Sequence, residues 1–203
     1  LRLRARIAEL EGRPASMKSL AEKSLRIQSH PDGHLILAQF HLRHGDVEPA
    51  AVEAARAVEV DPADANARLM HAAILLEAGL IDDAGATIAP LRDTPPADAG
   101  LGRRLGYTVA AIHTRRGDHQ AALDHLDANA LAADASPPER KAMFALRAKI
   151  LDHLGRYDEA FADAEAFNAL ERVEFSPGRY ALEIDRMIER TGRDRLERFP
   201  IGF

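Results

Sequence analysis

The segment "HLILAQFHLRH" sets His34, His41 and His44 at offsets of 7 and 3. On a helix this spacing gathers three imidazoles on one side, and imidazole nitrogen is a good ligand for zinc. A bound metal also needs carboxylates or carbonyls behind its histidines to orient them. No carboxylate-rich set accompanies these three. His41 moreover recurs as His113 at an equivalent place further along the chain. The pattern reads as packed or surface histidines, and no metal site is expected.

Two other stretches imitate chemistry. "GLGRRLG" holds Gly100, Gly102 and Gly106, close to a dinucleotide-binding fingerprint. The third Gly is one residue late and no strand precedes it, so the strand–turn–helix unit in which such glycines work is missing. The stretch reads as a loop entering a repeat. The acid pairs Asp82/Asp83 and Asp158/Glu159 look like catalytic couples, but a place in the first turn of a helix accounts for them through the helix dipole. No Ser-His-Asp arrangement can be argued without a pocket. The chain has no cysteine, which removes disulfides, thiolate chemistry and Cys-based zinc sites. No catalytic residue and no cofactor are expected within these residues.

The elements that must carry any site are helical. Of 203 residues, 46% are hydrophobic but only 5% aromatic. Alanine dominates the apolar share, which suits closely packed helices better than a β-sandwich. A net charge of −5 provides no basic field for nucleic acid. No apolar run approaches the roughly 20 residues of a membrane span. The opening "LRLRARIAEL" is Arg-rich and amphipathic like a transit peptide, but Glu9 and Glu11 oppose that reading and no signal-peptide core is present. A cytoplasmic protein that opens on a helix is expected.

Internal repetition organises the chain. Gly45, Gly79, Gly117 and Gly155 are each followed five residues later by alanine, at 50, 84, 122 and 160. Seven residues before each glycine stands Ala38, Ala72, Ala110 or Ala148. Five before it stands Phe40, Ile74, Ile112 or Ile150. The glycine spacings are 34, 38 and 38, a period that signals stacked helix pairs. Glycine can end a helix with φ > 0 at no steric cost. Asp46, Asp82, Asp118 and Asp158 follow nearby and suit the start of the next helix. The alanines mark where two helices of a hairpin cross. Pro62, Pro95, Pro96, Pro137 and Pro138 are expected to close the second helices. The four extra residues of the longer periods are placed in the loop-like "TPPADAGLG" and "ADASPPE".

These repeats resemble the tetratricopeptide (TPR) family. In its 34-residue frame the small residues of the eighth and twentieth places match the two alanine series, and Asp61-Pro62 matches the closing pair. The usual early Trp is replaced by His34, Arg68, Gly106 and Phe144. The resemblance implies an all-α, right-handed superhelical solenoid. Its repeats cover about 31–64, 65–102, 103–140 and 141–172, after a divergent helix pair at 1–30 acting as a cap. A further helix follows at 173–203, where Ser176 and Pro177 suit a helix start and Tyr180, Ile184, Met187 and Ile188 line one face.

In that family the first helix of each pair lines a concave surface that binds proteins or peptides. The inward places fall on Gln39, Arg43, Arg104, Tyr107, Arg115, Lys149 and His153. This set is polar and net basic on an acidic chain, which would suit an acidic peptide partner. Chaperone-binding members clamp a terminal carboxylate with Lys and Asn. Leu35 and Gln39 stand there instead, so that clamp is not expected.

The C-terminal part also resembles bacterial proteins that join TPRs to a sulfotransferase domain. The ending "RFPIGF", residues 198–203, is like the short strand that precedes their phosphosulfate-binding loop. The resemblance implies 3′-phosphoadenosine-5′-phosphosulfate (PAPS) as cofactor only where such a domain follows Phe203. The loop itself is not in this chain.

Overall fold

A computed structural model describes residues 14–129 and 135–170. Among these, nine α-helices and no strand are found. They are α1 (Pro14–Ile27), α2 (Pro31–Arg43), α3 (Val47–Val60), α4 (Ala65–Glu77), α5 (Ile81–Asp93), α6 (Ala99–Arg116), α7 (His119–Asn129), α8 (Pro137–His153) and α9 (Tyr157–Leu170). The expected opening at 1–13, and the helix and apolar tail at 173–203, lie outside the described residues. None of the described helices is long and apolar enough to cross a membrane.

The helices pair in sequence as hairpins: α2 with α3, α4 with α5, and α6 with α7. Each second helix packs on the first helix of the next hairpin, and the first helices α2, α4, α6 and α8 touch in a row. In the last pair, Ala160 of α9 packs against the cluster that holds Ile150 and Leu151 of α8. The chain is thus an all-α solenoid of hairpins. In front of it, α1 packs Met17 and Ala21 on Ile36 and Leu37 of α2.

Gly45, Gly79, Gly117 and Gly155 all sit in the left-handed region, with φ of 81°, 78°, 85° and 73°. Each ends a first helix in the same way. The amide of Gly117 donates to the carbonyl of Thr114 (3.2 Å), and Asp118 donates to that of His113 (2.9 Å). This double closure satisfies two orphan carbonyls and turns the chain within one or two residues. The second helices α3 and α5 start without a side-chain cap bond. Asp46 holds the cap position of α3 without a side-chain hydrogen bond. Its carboxylate stands 3.5 Å from His41 Nδ1, and Asp118 repeats the arrangement with His113. The first helices are the capped ones. Asp64 accepts from the amides of Asn66 and Ala67, and Asp98 from that of Leu101.

The alanine series is buried as its spacing implies. Ala38, Ala50, Ala72, Ala84, Ala110 and Ala122 are all at 0% exposure. Ala148 and Ala160, in the last hairpin, are half-buried.

Two expectations need correction. Pro137 and Pro138 do not close a second helix; they open α8. Proline suits a first turn, where the missing N–H would have no partner. Here the Glu139 carboxylate accepts from both the amide (2.8 Å) and the hydroxyl (2.7 Å) of Ser136. The "GLGRRLG" stretch, likewise, is not a loop but the start of α6, capped by Asp98. The four extra residues of the 38-residue periods therefore lengthen helices. α6 has 18 residues and α8 has 17, against 13 for α2 and for α4. The third and fourth hairpins start at 99 and 137, one helical turn before the family frame.

Between the last helices one guanidinium serves two carboxylates. Arg147 donates to Asp127 (2.9 Å) and to both oxygens of Asp163 (2.9 and 3.1 Å). The Asp163 side chain is only 8% exposed. Burial holds its pKa above the usual carboxylate range; Arg147 opposes this and the charges of Asp127 and Glu159 add to it.

The backbone and this cluster each yield a prediction. Gly117→Ala forces a side chain into the left-handed region and destabilises by about 1–2 kcal/mol. Gly102→Ala, in open space within α6, stabilises by about 0.5–1 kcal/mol. Urea midpoints check the opposite signs. For Asp163, the native state holds the proton more tightly than the unfolded chain, so its contribution falls as pH rises from the ordinary carboxylate pKa through the raised native one. Asp163→Asn removes that fall. The stability of the variant relative to wild type, measured by urea unfolding from about pH 3 to pH 7, should increase with pH.

Candidate functional site

The row of first helices carries a pocket of about 210 Å³ between α4, α6 and α8. Its apolar walls are Leu69 and Leu76 of α4 and Met143 of α8, with Ala73 and Ala142 at accessible positions. Arg103, Arg104 and Tyr107 of α6 and Glu139 of α8 supply the polar groups.

Each polar side chain is held differently. Arg104 and Tyr107 are three apart on α6 and so share a face. Arg104 Nη1 donates to the Asn66 side-chain oxygen on α4 at 2.6 Å. This neutral amide is its hydrogen-bond partner among the described residues. Burial lowers the Arg104 pKa, with Glu139 opposing, but a guanidinium stays charged at any ordinary pH. Tyr107 makes no hydrogen bond among the described residues. Burial pushes its hydroxyl pKa up, the charge of Glu77 adds to this, and Arg115 pulls it back. Arg103 Nε lies 3.5 Å from Glu139 Oε1. The hydrogen bonds from Ser136 are the main reason the Glu139 carboxyl sits below its usual range. Thr108 is already committed, its hydroxyl donating to the Arg104 carbonyl at 2.8 Å.

Of the seven residues expected on the concave surface, the structure brings Arg104 and Tyr107 into this pocket. Arg115 lies in the last turn of α6 and is exposed, as is Lys149 on α8. Arg43, in the last turn of α2, is also exposed. Gln39 is half-buried, and its side-chain oxygen is enclosed without a partner. His153 is turned toward the second-helix layer. Its Nδ1 donates to the Lys149 carbonyl (2.7 Å) and its ring lies 4.5 Å from that of His119 on α7. The sequence reading missed Arg103, Glu139 and Met143. The available signal was the lengthened period. Glu139 lies in the added turn of α8, and Arg103 directly follows the added turn of α6.

The three histidines of α2 have separate fates. His44 lies against Phe40, ring centroids 4.2 Å apart, and His41 faces Asp46. His34, buried at 9% exposure, stands at the centre of a relay that sequence alone did not reveal. Its Nδ1 is 2.7 Å from Glu53 Oε2 and its Nε2 is 3.1 Å from the Ser29 hydroxyl. Arg56 donates to the other oxygen of Glu53 at 2.6 Å. A carboxylate only accepts, so Nδ1 carries hydrogen, and in the neutral ring Nε2 accepts from Ser29. The order serine–histidine–carboxylate is that of a hydrolytic triad. Such a triad works on a substrate held beside the serine and on an oxyanion site, and no relay residue lines the pocket. The relay ties the α1–α2 connection to α3. Among the described residues no group of three histidines or carboxylates is placed to hold a metal.

No protein-family model matches the chain, and no curated protein matches its sequence. Solved structures do match. TTC0263, a thermophilic TPR protein of Thermus thermophilus, is 21% identical with a TM-score of 0.66, over 86% of this chain and 91% of that one. MamA of strain AMB-1 is 18% identical with a TM-score of 0.59, over 84% and 96%. A Podospora anserina kinesin light chain with nearly identical TPR-like repeats, in its Q17M form, is 19% identical with a TM-score of 0.61, over 84% and 92%. These likenesses place the fold among TPR solenoids.

The relay yields a stability test. Glu53→Ala leaves the buried His34 nitrogen and Arg56 without their acceptor and should cost about 1–3 kcal/mol. Ser29→Ala, which removes an exposed partner, should cost under about 1 kcal/mol. Urea midpoints of the two variants check the order.

Proposed function

We propose that this chain is a repeat scaffold, not itself catalytic, that binds a protein or peptide along the face of its first helices. The observation that carries this reading is the apolar pocket between α4, α6 and α8, with Arg104 and Tyr107 on its polar side. A shape of this kind, apolar walls with a few convergent polar groups, is what a binding site requires. Gln39 and Arg43 extend the surface onto α2, Arg115 and Lys149 extend it along α6 and α8, and the set favours a partner of acidic character. His153, exposed at the end of α8 with its ring against that of His119, belongs to the same proposed surface. The fold alone names no ligand, so the reading rests on the site.

A second reading has its own support in residues 198–203, outside the described part. Their likeness to the strand before a phosphosulfate loop favours a TPR segment of a PAPS-dependent sulfotransferase. It requires chain beyond Phe203. An intact mass of the native protein well above 22.2 kDa, with sulfate transfer by that protein, would support it.

For the scaffold, Arg104→Glu combined with Arg115→Glu should abolish capture of the native partner. Arg26→Glu with Arg92→Glu, the same charge change on α1 and α5, should leave capture intact. Quantitative affinity capture from the source cell compares the two. Equal capture by both would sink the groove.

A further inference from the structure

Resting on the scaffold reading, we infer that the α4–α6–α8 pocket recognises an internal peptide segment in which an aliphatic residue, leucine or methionine in size, is followed directly by an aspartate or glutamate. The volume of the pocket sets the kind of occupant. At about 210 Å³ it lies below the roughly 300 Å³ at which small-molecule sites begin and is roomy enough for a side chain of leucine or methionine size. Leu69, Leu76 and Met143 offer that side chain aliphatic walls beside the Tyr107 ring, so an aliphatic group meets matching surface.

The acidic neighbour follows from the unspent donors. Arg104 has five N–H donors and, among the described residues, no ion pair; its bond to Asn66 uses one. The Tyr107 hydroxyl, on the same face, makes none. A guanidinium and a phenol side by side above an apolar floor suit a carboxylate, which accepts from both. The local charge agrees, since Arg103, Arg104 and Arg115 outnumber Glu77 and Glu139 here.

The added turns bear on specificity. Arg103 reaches toward Glu139, and Ser136 holds Glu139 from behind. This cross-link joins the lengthened starts of α6 and α8 at one side of the pocket. The hairpin of α2 and α3, with its 13-residue first helix, has no such turn. The 38-residue period thus builds a local pocket into an otherwise uniform row. Because the row continues past the pocket, from α4 back to α2, the segment is taken as internal to its chain.

The test uses fluorescein-labelled peptides of Gly and Ser with a central Leu-Asp, Ala-Asp, Leu-Asn or Leu-Lys, titrated against the whole chain. Anisotropy and amide NMR shifts are read together. The Leu-Asp peptide should bind with a Kd on the order of 100 μM, and each change to it should weaken binding about tenfold. Arg104→Gln should make Leu-Asp and Leu-Asn equal while keeping the leucine preference. Ala73→Leu, at an accessible position that tolerates a larger side chain, should fill the pocket and erase the leucine preference. Equal binding of the four peptides, or no shift at Leu69, Tyr107 and Met143 with Leu-Asp at millimolar concentration, would overturn the assignment. The scaffold reading fails separately. If partner capture depends on Arg104 and Arg115 while the peptides bind alike, the groove stands and this assignment falls. If Leu-Asp is selected but capture ignores those arginines, the pocket stands and the wider groove falls.

Discussion

Close approach of helix backbones at alanine is the constraint on which the rest of the structure depends. Ala38 with Ala50, Ala72 with Ala84, and Ala110 with Ala122 each belong to one core cluster, and all six are fully buried. No larger side chain fits at such a position without pushing the helices apart. This contact fixes the distance within each hairpin, and the left-handed glycine fixes the angle at which the chain returns. With both set, the first helices fall side by side and the pocket between them becomes possible. The core is assembled mainly from small and aliphatic groups, consistent with the low aromatic content.

The pocket arises where the repetition is broken. Counted back from the turn glycines, as in the first two hairpins, α6 would begin at residue 103 and α8 at residue 141. The added turns start them at 99 and 137, which carries Glu139 to the side of Arg103. Loops would have been the cheaper place for four extra residues. Strong caps decide otherwise: Asp98 binds the Leu101 amide and Ser136 is bound by Glu139. Once capped, Gly100 and Gly102 are carried in the helix despite their low propensity.

The histidines illustrate how one residue type is put to several uses. His41 and His113 hold equivalent places and meet an aspartate just past the turn. His113 also stacks on His125, centroids 5.4 Å apart, and burial, helped by His113 and Arg92, lowers the His125 pKa. His30 caps α2 by accepting from the Gly33 amide at 2.9 Å. His34 binds Ser29 and Glu53. Apart from the His30 cap, spacing along the chain could not distinguish these roles, because Glu53 and His125 come from a different helix and Ser29, Asp46 and Asp118 from a turn.

The sequence by itself determined the helical class, the hairpin repeat, the glycine turns and the alanine crossings. These depend on short-range rules: periodicity, φ preference and side-chain size at fixed offsets. The family resemblance singled out Arg104 and Tyr107 on a first helix, where both are half-buried at the pocket. Only the tertiary structure decided that "GLGRRLG" is helix, that Pro137 opens α8, and that Arg103, Glu139 and Met143 join Arg104 and Tyr107 around one pocket. Those outcomes rest on competition between a cap and a helix breaker, on an ion pair between residues 36 apart (Arg103 with Glu139), and on a pocket whose lining runs from Leu69 to Met143. The same holds for the Ser29–His34–Glu53 relay, whose ends are brought together by the return of α3 against α2. A pattern read along one helix carries no information about which neighbour that helix will meet.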